Sequence, residues 1–126
     1  MLLFRGADWD TDLSPAETEQ VMGRVMAWLE GLQQRGIVKG GQPLARKGRV
    51  VSGRNGRRAV ADGPFAETKE AVGGYLVVQV KDLDEAVAIA KACPTLDYDI
   101  QIEVRPVLEE CPITRRIRER RAMATA

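Results

Sequence analysis

Tyr75-Leu76-Val77-Val78-Gln79-Val80-Lys81-Asp82-Leu83-Asp84-Glu85-Ala86-Val87 changes its hydrophobic period in the middle. Up to Val80 the residues alternate, with Tyr75, Val77 and Gln79 on one face and Leu76, Val78 and Val80 on the other, which predicts a strand. Asp82 then supplies a helix cap, and Glu85, three residues on, completes a box-like start. Leu83, Ala86, Val87, Ala90 and Cys93 recur at steps of three and four, predicting the inner face of a helix that Pro94 stops.

Working outward, Ile100 to Val107 reads as the next strand, with Ile100, Ile102 and Val104 on one face and Gln101, Glu103 and Arg105 on the other. On the N-terminal side, Asn55-Gly56 between Arg49-Val50-Val51-Ser52 and Arg58-Ala59-Val60-Ala61 predicts a β-hairpin. Its basic tip (Arg49, Arg54, Arg57, Arg58) reads as a solvated edge kept charged against aggregation. Ile37 to Ala45, with Gly40-Gly41 and Pro43, is expected to form short extended pieces and a turn. Ser14-Pro15-Ala16-Glu17 is a capping box with proline at the first helical position. It opens a helix whose apolar stripe is Val21, Met22, Val25, Met26, Trp28, Leu29 and Leu32, the two methionines being read as core. Gly36 ends it as a left-handed cap. Leu2 to Arg5 is a first strand, and Gly6 to Leu13, around Trp9, is a loop.

With the hairpin set aside, the order is βαββαβ, a ferredoxin-like α+β pattern with an inserted β-hairpin. Both helices then pack on one face of an antiparallel sheet. Leu2, Phe4, Ile100, Ile102 and Val104 are expected under them. Arg5, Gln101, Glu103 and Arg105 point away, together with Tyr75 and Gln79, and Leu3, Val77 and Val107 join that face. A face half polar and half apolar either meets solvent or is covered by a second subunit. Burial, the favoured reading, forces its charges to pair with each other or with a ligand.

Length and composition fit one soluble domain: 126 residues, 44% hydrophobic, 29% charged, net charge +1. Near-neutral charge disfavours nucleic acid and anionic membrane as partners. There is no histidine, so no Ser-His-Asp or Cys-His pair can be built from this chain and no imidazole can bind metal or haem. Cys93 and Cys111 form no C-x-x-C pair and are read as structural thiols in a reducing compartment. Neither G-x-x-x-x-G-K-S/T nor G-x-G-x-x-G occurs. No metal, haem or nucleotide cofactor is expected. Without a membrane-length apolar run or a signal-peptide start, the expected location is cytoplasmic.

The stretch Ala61-Asp62-Gly63-Pro64-Phe65-Ala66-Glu67-Thr68-Lys69-Glu70, running into Gly73-Gly74-Tyr75, closely resembles the signature of the bacterial YCII-related proteins of the DGPF type. Leu2-Leu3-Phe4-Arg5-Gly6, Gly40-Gly41-Gln42-Pro43-Leu44, Asp82-Leu83-Asp84-Glu85-Ala86, Ala92-Cys93-Pro94 and Ile102-Glu103-Val104-Arg105-Pro106-Val107 match as well. The resemblance spans most of residues 1–107, read as the ferredoxin-like domain. Residues 108–126 form an Arg-rich tail, read as a partly frayed, solvated helix. The resemblance implies a subunit that pairs into a dimeric α/β barrel. It also implies association with extracytoplasmic-function sigma factors, and relatives suspected of catalysis through a His–Asp pair. Here only the carboxylate half of such a pair can exist, and Asp62 is its candidate.

Asp62 is thus a candidate general base, although an Asp before Gly-Pro also serves as a turn residue. Phe65 is read as a core anchor. Arg5, Glu103 and Arg105 are candidate ligand-binding residues: two arginines beside one carboxylate leave a surplus positive charge suited to a small anion. The alternative is an Arg–Glu–Arg network that locks a dimer. Tyr75 can donate its hydroxyl to ligand or network. Trp9, Glu67 and Lys69 are placed at the pocket rim. Two functions follow: a homodimer binding a small anionic molecule, with a lyase- or isomerase-type proton transfer as its enzymatic form, or a regulatory module acting with a sigma factor.

Overall fold

The computed structural model describes residues 1–6, 8–63 and 71–125. The order is β1 (Leu2–Arg5), α1 (Pro15–Gln34), β2 (Val38–Pro43), β3 (Arg49–Arg54), β4 (Arg57–Asp62), β5 (Val72–Val78), α2 (Leu83–Lys91), a 3-10 helix (Pro94–Tyr98), β6 (Gln101–Val104) and α3 (Pro112–Thr125). Four strands form an antiparallel sheet in the order β2-β5-β1-β6, while β3 and β4 pair only with each other. With that ribbon excluded, the order is the ferredoxin-like one.

Local chemistry sets the element ends. At α1 the Ser14 hydroxyl accepts from the Glu17 N–H at 3.1 Å, and the Glu17 carboxylate accepts from the Ser14 N–H at 3.3 Å. This reciprocal box satisfies donors that a helix start otherwise leaves open. Beyond its other end, Gly36 takes a left-handed φ of +71°. Asp82 caps α2 by accepting from the Glu85 N–H at 2.9 Å, and Glu85 reaches back to the Lys81 N–H at 3.0 Å. The hairpin turn uses positive φ at both Asn55 and Gly56 (+53° and +82°), the geometry that matches strand twist.

Register decides the two faces. One cross-strand row reads Val104–Leu2–Leu76–Gly41 and the next same-side row reads Ile102–Phe4–Gly74–Pro43. These rows meet the helices. Leu2 and Leu76 join Leu32 of α1 and Ile89 and Ala90 of α2 in the core, with Phe4, Trp28, Leu29, Ile102 and Val104 packed around them. Burying each such leucine contributes roughly 1.5–3 kcal/mol. The Trp28 indole N–H donates to the Ile89 carbonyl at 3.2 Å, tying α1 to α2. The intervening row, Glu103–Leu3–Tyr75–Gln42, faces the other way.

Four expectations need correction. Residues 38–43 form one continuous strand, because pairing with β5 supplies the ladder and a register shift between Val38 and Gly40 absorbs the irregularity. Met22 and Met26 are 40% and 55% exposed. The stripe on α1 is wider than its contact with the sheet, and only Val21 and Leu32 are fully enclosed. Leu83 is exposed and Ile89 is buried in its place, since Leu83 lies at the first position of α2, beyond the packed turns. Cys111 is exposed while Cys93 is buried, and both are free thiols. The tail, read as a solvated helix, is helical from Pro112 through Thr125 with no buried residue. Phe65 lies outside the described residues.

Candidate functional site

The face turned away from α1 and α2 gathers three of the candidate residues. Arg5 on β1 and Glu103 on β6 are diagonal neighbours on the same side of adjacent strands. The Arg5 guanidinium donates to Oε2 of Glu103 through Nη2. Arg105, just past the end of β6, brings Nε to 3.6 Å from Oε1 of the same carboxylate. Two guanidinium groups therefore share one carboxylate, and one positive charge is left over. Nε of Arg5 is buried without a hydrogen-bond partner among the described residues. Arg5 and Glu103 are each about a third exposed, so in the single chain the pair contributes no more than about 1 kcal/mol. Leu3, Tyr75 and Val77 lie half-buried on this same face, with Tyr75 opposite Leu3.

The remaining candidates lie elsewhere. Asp62 ends β4 in the separate hairpin, 90% exposed, with Oδ1 4.0 Å from Nε of Arg49. The single chain thus places it on a different sheet from Arg5 and Glu103. Trp9 sits in the loop before α1 with its ring 5.9 Å from that of Tyr98, on the helix side of the sheet. Glu67 and Lys69 lie outside the described residues. Among the described residues, no cluster of three or more acidic or cysteine side chains could hold a metal ion.

Sequence reasoning missed a cleft on the helix side. It encloses about 700 Å³ between α1 and the β2–β5 half of the sheet, walled by Phe4, Trp9, Met22, Val25, Trp28 and Leu44. Its cause is legible in the register: where α1 passes over this half, the helix-facing positions are Gly41 and Gly74, which offer no side chain. A Cβ on Gly41 would lie 2.8 Å from the Tyr75 carbonyl oxygen, so close strand approach keeps that position bare. The glycine pairs at 40–41 and 73–74 were the available signal, but it becomes readable only once the two strands are known to be neighbours.

Fold and site together define a ferredoxin-like α+β domain with charged residues on one sheet face and an apolar cleft on the other. The chain matches the YCII-related domain family over residues 5–110 and belongs to that family. It is 30% identical over 105 residues to an uncharacterized protein of Rhizobium meliloti (strain 1021), a match covering 78% of this chain and 85% of that protein. No helix among the described residues is long and apolar enough to cross a membrane.

Proposed function

We propose that this protein is a cytoplasmic homodimer that binds a small anionic molecule at Arg5 and Arg105 on the open sheet face. The observation that carries this reading is the pair of guanidinium groups around the single carboxylate of Glu103. Arginine binds carboxylates and phosphates through two parallel N–H donors. The half-buried Leu3, Tyr75 and Val77 beside it favour cover by a second copy, which lowers the local dielectric and strengthens every charge contact beneath it. Tyr75 supplies a hydroxyl to the same face. The enzymatic form of the reading is a lyase- or isomerase-type proton transfer with Glu103 or Asp62 as base. Use of Glu103 requires an incoming anion to draw the guanidinium groups away from it.

Thermal unfolding of wild type and Arg105→Ala with small carboxylates, phenolic acids and phosphates tests the site. A ligand at 100 times its dissociation constant adds about 2.7 kcal/mol of stability. The expected result is a shift in wild type that is lost in Arg105→Ala. A folded dimer that responds to none of them, or a shift unchanged in the variant, overturns the reading. Sedimentation tests the assembly, and a stable monomer at micromolar concentration defeats the homodimer.

One observation favours a second reading, a regulatory module acting with a sigma factor. α3 is wholly exposed, with Ile113 and Ile117 (59% and 48% exposed) one turn apart among Arg115, Arg116, Arg118, Arg120 and Arg121. A basic helix with an unburied apolar stripe suits an acidic protein groove. Deleting residues 108–126 then abolishes capture of a sigma factor while leaving anion binding intact. Retained capture defeats this reading.

A further inference from the structure

We propose that the cleft beneath α1 is a second ligand site, separate from the open-face anion site, and that it takes a flat, apolar organic molecule carrying no negative charge. Its volume of about 700 Å³ falls within the range of small-molecule sites, roughly 300–1,000 Å³. Its walls are already fixed. Trp28 is held by its N–H bond to the Ile89 carbonyl and stands edge-on to Phe4, with ring centroids 6.3 Å apart and planes at 86°. The floor is bare backbone at Gly41 and Gly74, and the crowding at Gly41 keeps it so. A preformed apolar slot with fixed aromatic walls binds without first ordering its side chains.

Charge at the mouth selects the ligand class. Arg46 stands there and, among the described residues, is the charged side chain that lines the cleft. Its Nη1 lies 2.6 Å from Oδ1 of Asp8 and its Nη2 3.9 Å from Asp10, so two carboxylates outweigh one guanidinium. Arg24 stands nearby, donating to the Tyr98 hydroxyl at 3.2 Å, and the Tyr98 ring lies 5.9 Å from that of the cleft-lining Trp9. The charges near the mouth are therefore balanced, unlike those of the open face, where two arginines share one glutamate. An anion finds no surplus positive charge here and would bury its own charge against apolar walls, whereas a neutral aromatic molecule meets neither cost.

Both tryptophans of the chain, Trp9 and Trp28, line the cleft, so intrinsic fluorescence reports occupancy directly. The full chain is titrated with neutral N-phenyl-1-naphthylamine and with 8-anilinonaphthalene-1-sulfonate, which has the same aromatic framework plus a negative charge. The expected result is saturable quenching of tryptophan emission by the neutral probe at one site per chain, with binding of the sulfonate at least tenfold weaker. Val25→Arg weakens the neutral probe at least tenfold, read from the probe's own emission, and Arg105→Ala leaves it unchanged. Met22→Trp, at a position already 40% exposed, fills the mouth and serves if Val25→Arg does not fold. Absence of saturable binding by folded wild type, equal or tighter binding of the sulfonate, or binding that survives these variants overturns the proposal. Binding that appears only when the protein is diluted to monomers also overturns it and names a second copy as the occupant. Because Arg105→Ala disables only the open-face site, failure here is distinguishable from failure of the anion-binding reading.

Discussion

The central sheet and the β3–β4 hairpin both draw on valine and glycine and end in opposite environments. β5, Val-Gly-Gly-Tyr-Leu-Val-Val, buries Leu76 against Leu2, Leu32 and Ile89. The hairpin, whose strands mix valine and alanine with four arginines, leaves Val51 and Val60 67% and 60% exposed and buries none of its twelve strand residues. Strand formation in both follows local signals: β-branched residues and, at the hairpin, an Asn-Gly turn. Burial needs a second layer, and among the described residues the sheet has one and the hairpin does not. An isolated two-stranded ribbon is marginal in water, and among the described residues the hairpin is held by its Asn55-Gly56 turn and its own ladder.

Four measurements sharpen this contrast. The largest effect is expected at Leu76→Ala, which removes a core side chain at the centre of the sheet and should cost about 2–5 kcal/mol in urea unfolding. A cost below about 1 kcal/mol would show that the sheet is no better packed than the hairpin. Gly41→Ala comes next. Its Cβ meets the Tyr75 carbonyl at 2.8 Å, and relieving that overlap should cost about 1–3 kcal/mol, whereas alanine at the open Gly40 position lacks this clash. Ser14→Ala removes the α1 cap and should lower stability by about 1 kcal/mol, with helix content otherwise retained. Val51→Ala in the hairpin should stay within about 0.5 kcal/mol in the monomer. A larger cost that grows with protein concentration would place a second copy over the ribbon.

The two cysteines repeat the comparison at single-residue scale. Cys93 is buried and contacts the Thr95 hydroxyl at 3.1 Å. Cys111 is exposed at the start of α3, where the backbone N–H groups of Thr114 and then Ile113 stabilise its thiolate and lower its pKa from the ordinary value. An alkylating reagent should modify one thiol per native chain, with the rate rising through a midpoint below that of a free cysteine. Cys93 should react only on unfolding. Mass spectrometry of the labelled chain decides this, and native labelling at Cys93 would contradict the packing described.

Much of the fold was legible because its signals are local. Ser14-Pro15-Ala16-Glu17, Asp82 with Glu85, and Asn55-Gly56 each specify backbone geometry through bonds within a few residues, and each is found where the sequence predicts it. The face assignment of Arg5, Glu103 and Arg105 was legible for a related reason: alternation fixes sidedness once the sheet is known. Met22, Met26 and Leu83 were misjudged because apolar spacing marks a stripe without saying how far the neighbouring layer extends. Of the candidate site residues, Asp62 could not be placed from sequence relative to Arg5, since nothing local says whether a hairpin folds back or stands apart.

The sequence by itself determined the element order, the caps, the turn, the two faces of each strand and the family to which the chain belongs. These depend on interactions of short range or on strict periodicity. Only the tertiary structure decided that two guanidinium groups converge on Glu103, that the hairpin forms a sheet of its own, and that glycines from separate strands meet beneath α1 to leave a cleft. Each of those depends on which residues distant in the chain become neighbours, and no local energy term carries that information.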